Sequence, residues 1–327
     1  MSTYSNKNKV LVAGATGLIG SNLVNQLVEE GYDVRGTLHD NEPSMPNSRV
    51  EYVKADLTSL DDCYRVVKNC DYVFMCAANT SGAAVMKKSP LSHVTPNVVM
   101  NSQILHAAYE SKVSKFLWIS SSAAYPPTGD RAVIESEMFD GDPYESYYFV
   151  GWMKRFGEIM CRMYGEKIEN PMTTIVIRPT NVYGPFDDFK PETSHVTAAL
   201  IRKVIERQSP LVVWGDGNDI RDIIYVDDLV NIMITAIEKL DHYTAMNIGY
   251  GQGFSVKQIL EKLLRIDGYH NAEIIYDSKK PSMIPVRLVD INKSISSLKL
   301  GSLTDIDEGL ERTMKWYRHF GLSLIHI

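Results

Sequence analysis

A glycine-rich loop near the start of the chain most constrains what this sequence can fold into. The apolar segment 9–13 runs into Gly14, Gly17 and Gly20, which are spaced GxxGxxG, and a helical pattern covers residues 18–30. The first glycine permits a tight turn, the second lets the backbone approach a pyrophosphate, and the third allows close helix–strand packing. Free N–H groups at the start of the helix attract an anion. This order of strand, loop and helix predicts a dinucleotide-binding site.

Short apolar segments alternate with helical patterns over most of the chain. Strands are predicted at residues 9–13, 33–38, 50–53, 71–76, 115–120 and 173–178. Helices are predicted at about residues 59–67, 92–111, 145–164 and 227–240. Such alternation implies βαβ units and a parallel sheet with helices on both faces. The sequence therefore predicts an α/β fold, in which a Rossmann-type doubly wound parallel sheet is joined to a smaller, mixed α/β C-terminal substrate-binding domain.

The character of the sequence changes near residue 180, where turn-rich runs begin. We expect a dinucleotide-binding domain of residues 1–180 plus about 219–250, and a substrate-binding domain of about 181–218 plus 251–320. Thr304 and Asp307 have the spacing of a capping box, which predicts a last helix there. The apolar segment 321–327 fits no element of the pattern and is expected to be a non-native tail.

Composition narrows the class of ligand. The 327 residues hold 34 Lys and Arg against 40 Asp and Glu, a net charge of −6, which argues against general binding to nucleic acid or a membrane surface. No apolar run approaches the roughly 18 residues of a transmembrane helix, and the polar N-terminus lacks the pattern of a signal peptide. Four cysteines without a CxxC pair favour a reducing cytoplasm, and no metal-ligand spacing is present. We expect a cytoplasmic protein with a small-molecule ligand.

The end of the second strand bears on the choice between NAD and NADP. An acid at this position binds the ribose 2′-hydroxyl of NAD. Leu38 occupies the position and His39 follows it, so the sequence leans slightly toward NADP(H) over NAD(H), while Asp40 could reverse that preference. Asp56 and Leu57 follow the third strand and are placed to meet the adenine. Asp56 could equally cap a helix.

Beyond the glycine loop, further segments resemble the extended short-chain dehydrogenase/reductase family, also described as NAD-dependent epimerases/dehydratases. Within it they are most similar to the GDP-L-fucose synthase branch, and the resemblance runs from about residue 9 to residue 320. The segments are WISSSAAYP at 118–126, RPTNVYGP at 178–185, SHV at 194–196, VWGDG at 213–217, Arg221, and YVDD at 225–228.

The resemblance implies hydride transfer between a nicotinamide and a sugar carbon, usually C4. The implied substrate is a nucleotide-diphosphate sugar, preferably a GDP-sugar, and the implied assembly is a homodimer through the helices at 92–111 and 145–164. Ser121 or Ser122 would bind the sugar oxygen, and Lys154 would hold the nicotinamide ribose. His195 matches an acid/base of the family. A merely structural histidine remains an equal alternative.

Other site residues are implied by the same resemblance. The implied cofactor contacts, besides the three glycines and Lys154, are Thr16, Leu18, Ile19, His39, Asp56, Leu57, Ala77, Ala78, Asn97 and Pro179. The implied substrate contacts, besides His195, are Asn181, Trp214, Arg221, Lys280 and Arg287. Lys280 and Arg287 are the least specific of these, because basic residues are common on protein surfaces.

Two positions depart from the family pattern. Val150 stands four residues before Lys154, where the family carries its catalytic tyrosine. Ala123 stands where fucose synthases carry a cysteine used in epimerisation at C3 and C5. Because a methyl group cannot carry protons, two-base epimerisation is doubtful.

A displaced tyrosine is one candidate for the missing proton carrier. Tyr147 lies seven residues before Lys154, which returns it to the same helix face but places it about 10 Å away along the axis. A local irregularity of the helix could close part of this gap. Ser121, a water molecule or His195 are the alternatives.

Three hypotheses about function remain open at the level of sequence. The first is an NAD(P)-dependent oxidoreductase or epimerase that performs 4-keto reduction or C4 oxidation on a GDP-sugar. The second is a degenerate reductase that senses NAD(P) or a nucleotide sugar without turnover, as Val150 suggests. The third is a UDP- or dTDP-sugar epimerase or dehydratase.

Overall fold

The structure is a computed structural model that describes residues 8–79, 89, 91–280 and 284–321. The expected tail lies outside the described residues apart from Gly321. Thirteen strands are named here: β1 Lys9–Ala13, β2 Asp33–Leu38, β3 Val50–Lys54, β4 Tyr72–Met75, β5 Lys115–Ile119, β6 Thr173–Pro179, β7 Asn181–Tyr183, β8 Leu211–Trp214, β9 Ile220–Tyr225, β10 Thr244–Ile248, β11 Gly253–Ser255, β12 Ile274–Asp277 and β13 Val286–Arg287.

The helices connect these strands. They are α1 Leu18–Glu29, α2 Leu60–Val67, α3 Leu91–Glu110, α4 Tyr148–Arg162, α5 Val196–Ile205, α6 Val226–Lys239, α7 Val256–Asp267, α8 Asn292–Leu298 and α9 Ile306–Trp316. Within the described ranges, none of the helices is both long and apolar enough to cross a bilayer.

The main sheet has seven strands in the order β10-β6-β5-β4-β1-β2-β3, all paired in parallel. This confirms the predicted Rossmann-type sheet. The chain starts at β1 in the middle, moves to one edge through β2 and β3, and then returns to β4 on the other side of β1. In open parallel sheets, ligands bind at such a switch point, outside the carboxyl ends of the strands.

Alternate side chains of β1 enter two separate cores, as the period of a strand requires. Val10 and Val12 face the core that contains α1, α5 and α6, whereas Leu11 and Ala13 face the core formed with α2 and α3. All four side chains are fully buried. Because β1 is buried on both faces, its residues form a continuous apolar run instead of alternating with polar residues.

Two small sheets stand beside the main one. β9 pairs with β7, β11 and β13, and β8 pairs in parallel with β12. The expected division placed residues 219–250 with the large sheet. β10 does pair there, whereas β9 pairs only in the small sheet, and the domain division itself stays a prediction.

The last helix begins differently from the capping-box expectation. Asp305 is its N-cap and accepts a bond from the Asp307 N–H at 2.9 Å. Thr304 instead donates its hydroxyl to Asp228 of α6 at 3.0 Å. The assignment of Thr304 as the cap was wrong because a long-range acidic partner binds its side chain.

Candidate active site

The glycine loop forms a cradle at the carboxyl end of β1. Gly14 has a φ of 84° and donates its N–H to the Thr37 hydroxyl at 2.9 Å, and a Cβ there would lie 2.6 Å from the Ala77 Cα. A Cβ at Gly20 would collide with the Gly14 carbonyl oxygen. Gly17 is the N-cap of α1 and supplies no side-chain cap, so the first turn keeps N–H groups for an anion.

The rest of the loop follows the surface of the cradle. Thr16, Leu18 and Ile19 are half-buried, and the last two pack against the core that contains α1. This is the shape that a dinucleotide requires, because the backbone is bare where a pyrophosphate would approach. The residues present therefore fit a dinucleotide.

The polar side chains that follow β2 and β3 contact neighbouring residues of their own segments. His39 and Asp40 are exposed, and 3.0 Å separates the imidazole Nδ1 from the carboxylate. Asp56 accepts bonds from the Thr58 hydroxyl and N–H at 2.7 and 2.9 Å, and these bonds hold its pKa below the usual value. Leu57 is buried in the core. Ser59, rather than Asp56, caps α2.

The segment after β4 is fixed by a buried amide. The Asn97 side chain accepts a bond from the Asn79 N–H at 2.9 Å and donates to the carbonyl oxygens of Asn79 and His93 at 2.9 and 2.7 Å. Ala77 is half-buried and Ala78 is exposed beside it. Asn97 therefore holds Asn79, the last residue described before the gap that follows β4.

A short 3₁₀ turn follows β5 and presents the serines. Ser121 is the N-cap of the turn Ser122–Ala124, and its hydroxyl oxygen accepts a bond from the Ala123 N–H at 3.1 Å. A hydroxyl that accepts such a bond keeps its own hydrogen to donate elsewhere. Ser121 is half-buried and Ser122 is buried. The geometry thus makes Ser121 the more accessible donor.

Lys154 reaches from α4 to the end of β5. Its Nζ donates to the Ile119 carbonyl oxygen at 2.7 Å and lies 4.9 Å from the centre of the Trp118 ring. Burial lowers the pKa of Lys154 to about 8, and the Glu158 carboxylate only partly opposes this. One bond to a carbonyl leaves two ammonium hydrogens for a ligand.

A buried ionic network lies beneath Lys154, and the sequence reasoning did not find it. Arg178 of β6 binds Glu158 of α4 through two nitrogens, and the shorter contact is 2.6 Å. Ser120 also donates to Glu158, and Arg178 donates to the Tyr125 hydroxyl at 2.8 Å. The signal was present, because Glu158 stands one helical turn after Lys154 and an acid at that buried position needs a cation.

Arg221 and Arg287 are direct neighbours in the parallel pairing of β9 with β13. Arg287 is 5% exposed and donates to the carbonyl oxygens of Tyr125 and Pro126 at 3.3 Å, while its Nε has no partner. Burial lowers the pKa of Arg287 to about 10. Arg221 is held by Asp219 at 2.9 Å and by backbone carbonyls. Two adjacent guanidinium groups create a positive site beside the serine turn.

Tyr147 is not part of the α-helix, which corrects the expected helix 145–164. It closes a 3₁₀ turn over Glu145–Tyr147, donates its N–H to the Tyr144 carbonyl at 2.7 Å, and immediately precedes α4. Burial raises the pKa of its hydroxyl, and the charges of Arg221 and Arg287 oppose that rise. Its hydroxyl therefore lies within the field of the arginine pair.

The remaining predicted substrate residues lie on the C-terminal elements. His195 precedes α5 and is exposed, and the surrounding protein lowers its pKa while Asp188 opposes this. Trp214 is 51% exposed at the end of β8, and the Lys280 Nζ lies 5.3 Å from its ring centre. Asn181 is half-buried in β7.

Pro179 is buried at the end of β6. Among the residues that the structure describes, no three His, Cys, Asp or Glu side chains form a metal-binding group.

This chain has relatives among known proteins. The model of the NAD dependent epimerase/dehydratase family matches residues 10–249. The probable GDP-L-fucose synthase 1 of Oryza sativa subsp. japonica is 31% identical over 322 residues, which cover 94% of this chain and 92% of the relative.

Two solved structures share the fold. UDP-glucose 4-epimerase from Thermotoga maritima, determined with UDP-glucose, is 27% identical with a TM-score of 0.84 and covers 95% of this chain and 99% of its own. UDP-glucuronic acid 4-epimerase from Bacillus cereus, in complex with UDP-glucuronic acid and NAD, is 27% identical with a TM-score of 0.81 and the same coverage. Since the family model spans well over half of the sequence, this chain belongs to the NAD dependent epimerase/dehydratase family.

Proposed function

We propose that this protein is an NAD(P)-dependent oxidoreductase that reduces the C4 keto group of a nucleotide-diphosphate sugar, with a GDP-sugar as the preferred substrate. One observation carries the proposal: the arginine pair Arg221 and Arg287 adjoins the serine turn, which follows the strand whose last residue binds Lys154. A sugar between an anionic diphosphate and a nicotinamide needs these groups together. The relatives named fucose synthases support the choice of a GDP-sugar.

The cofactor side of the site rests on backbone groups. N–H groups at Gly17 and Gly20 bind the pyrophosphate, and the two free hydrogens of Lys154 bind the nicotinamide ribose. A bound nicotinamide supplies the hydride. Because Leu38 leaves no acid at the end of β2 and His39 engages Asp40, we favour NADP(H) slightly over NAD(H).

The substrate side combines charge with an aromatic surface. The Ser121 hydroxyl donates to the C4 oxygen of the sugar and polarises the carbonyl. Arg287 and Arg221 bind the diphosphate, since guanidinium groups match phosphate oxygens in geometry and charge. The Trp214 ring and the Lys280 ammonium group are available to contact the nucleobase of the substrate. Asn181 and His195 border the sugar.

Epimerisation at C3 and C5 is not part of the proposal. Ala123 in the serine turn presents a methyl group, which neither accepts nor donates a proton. Proton removal from two carbons needs a base and an acid in position. His195 supplies one such group, and Ala123 cannot supply the other from its place in the serine turn, so we propose reduction without epimerisation.

We also propose that the protein is a homodimer. One face of α4 and the residue after it carries apolar side chains that are 39–50% exposed: Phe149, Trp152, Phe156, Ile159 and Met163. Their spacing of three or four residues makes a continuous stripe. An exposed stripe of this size typically marks an interface, and a second copy of α4 covers it in a four-helix arrangement with α3.

The cytoplasm remains the proposed location, because all four cysteines are free thiols.

A substrate screen tests the proposal. The purified protein is mixed with NADPH or NADH and with 4-keto derivatives of GDP-, UDP- and dTDP-6-deoxysugars, and the near-ultraviolet absorbance of the reduced cofactor is followed. We expect the fastest loss of absorbance with the GDP-sugar and NADPH. Tight cofactor binding without turnover of any sugar would contradict the enzyme and favour a sensor. Faster turnover of a UDP- or dTDP-sugar would overturn the GDP preference.

A further inference from the structure

Reduction at C4 leaves a proton to be supplied, and the usual supplier is absent. When a hydride adds to C4, the carbonyl π electrons become a lone pair on O4, which must take up a proton to give the alcohol. Val150 occupies the family position of the acid and has no ionisable hydrogen. Another proton donor must therefore face O4.

The contacts of Lys154 place its amine away from the role of proton donor to O4. Its Nζ is bound to the Ile119 carbonyl at 2.7 Å and rests on Trp118, at the level of β5 rather than beyond the serine turn. Its remaining hydrogens are those that hold the ribose in the proposed function. His195 is exposed on the segment before α5, and its side chain makes no cap bond to that helix.

The 3₁₀ turn that ends at Tyr147 leads directly into α4, whose first turn packs on the serine turn. Gly151, one turn into α4, is pressed against Pro143 and Ala124, since a Cβ there would lie 2.5 Å from the proline ring and 3.5 Å from the Ala124 Cα. The start of α4 is thus packed on the segment that begins at Ser121. Because residues 145–147 form a 3₁₀ turn, Tyr147 takes an orientation that a regular helix does not give.

The arginine pair lies next to the serine turn. Arg287 is bonded to the carbonyl oxygens of Tyr125 and Pro126, which directly follow the serine turn. Its charge and that of Arg221 act on the Tyr147 hydroxyl, and Tyr147 acts on Arg287 in return. The serine turn and the two guanidinium groups are therefore neighbours, and the Tyr147 hydroxyl lies within reach of the charges of both arginines.

We propose that Tyr147 is the catalytic acid of this protein and takes the place of the family tyrosine that Val150 has replaced. The inference rests on the proposed function. The Tyr147 O–H bond breaks as O4 takes the proton, the phenolate that remains is stabilised by Arg221 and Arg287, and solvent returns a proton to it. Burial raises the pKa of this hydroxyl, and the two arginines oppose that rise, as a general acid at this position requires.

Matched tyrosine variants test the assignment. Tyr147→Phe should lower kcat by about 100-fold or more, as loss of a general acid does. Tyr148→Phe is the control, since Tyr148 is the next residue and is 41% exposed. It should retain kcat. Adding Val150→Tyr to Tyr147→Phe restores a tyrosine at the family position and should recover part of the lost rate. Equal rates for wild type and Tyr147→Phe would overturn the proposal.

A binding measurement separates this inference from the proposed function. Calorimetric titration with GDP and with GDP-mannose, whose C4 hydroxyl is not oxidised or reduced without cofactor, reports contacts to the sugar. Tyr147→Phe should bind GDP as wild type does and lose affinity only for GDP-mannose. If wild type binds neither ligand, the GDP-sugar proposal fails. If wild type binds GDP-mannose more tightly than GDP and the variant does the same, Tyr147 does not contact the sugar and the inference fails alone.

Discussion

Glu158 and Arg178 join the helix that carries Lys154 to the central sheet through a fully buried ion pair with a 2.6 Å contact. Glu158 lies one helical turn after Lys154, and Arg178 precedes Pro179 at the carboxyl end of β6. The Tyr125 hydroxyl extends the network to Asn247 of β10 at 2.6 Å. The position of Lys154 therefore depends on a charged contact that touches no ligand.

Breaking this pair should destabilise the fold strongly. Glu158→Gln leaves the Arg178 charge buried without a carboxylate, which costs about 3–5 kcal/mol in the free energy of unfolding. Glu311→Gln is the control, because the pair of Glu311 with Lys315 is exposed and contributes about 0–1 kcal/mol. Urea unfolding of both variants measures the difference. A cost for Glu158→Gln no larger than the control's would show that the network does not stabilise the fold.

Lys154→Met should remove turnover without weakening the fold. At neutral pH the native state holds a charged amine in a site that lowers its pKa to about 8, so the variant is at least as stable as wild type. Between pH 8 and 10.5 the unfolded state binds more protons than the native state, so the contribution of Lys154 to stability rises with pH. The advantage of the variant should shrink across that window in thermal unfolding. Retained activity would show that Lys154 does not hold the ribose.

A methyl group in the glycine cradle should block the cofactor. In Gly20→Ala the Cβ meets the Gly14 carbonyl, which has no room to move because Gly14 itself is packed against Ala77. We expect loss of dinucleotide affinity by about tenfold or more, equal to about 1.4 kcal/mol, together with some loss of stability. Gly141→Ala is the control, since its Cβ meets only Pro126 at 3.8 Å. Fluorescence titration with NADPH compares them, and equal affinities would contradict the cradle.

A charge on the α4 stripe should dissociate the proposed dimer. Ile159→Glu puts a carboxylate in the middle of the stripe, where burial against a second copy would leave it unpaired. Ile295→Glu is the control, because Ile295 is equally exposed on α8, away from the stripe. Sedimentation velocity should show a dimer for wild type and for the control and a monomer for Ile159→Glu. A monomeric wild-type protein would refute the interface.

The alternating pattern was enough to predict the fold. Apolar runs predict strands such as 9–13 and 33–38, and in the structure β2 has the predicted bounds. The glycine spacing placed the dinucleotide loop because only a strand, a tight turn and a helix accommodate it. These features are local, so one sequence is sufficient to find them.

Long-range contacts were beyond the reach of the sequence. Nothing near Thr304 indicated that Asp228 would bind its hydroxyl, and the position of Glu158 indicated a need for a cation without identifying Arg178. The pairing of β9 with β13 places Arg221 beside Arg287, although 66 positions in the sequence numbering separate the two arginines. Gly151 of α4 likewise packs against Ala124, which lies 27 positions earlier in the chain. Each of these relationships appears only when distant segments are folded together.

The most direct test of the proposed function is the fate of hydrogen during turnover in heavy water. GDP-4-keto-6-deoxymannose is incubated in D₂O with the protein and NADPH, and the product is examined by NMR. We expect oxidation of NADPH, a hydroxyl at C4 with the carbon-bound hydrogen derived from NADPH, and no deuterium at C3 or C5. Deuterium at C3 and C5 would contradict reduction without epimerisation, and an unchanged keto sugar with unconsumed NADPH would contradict the reductase itself.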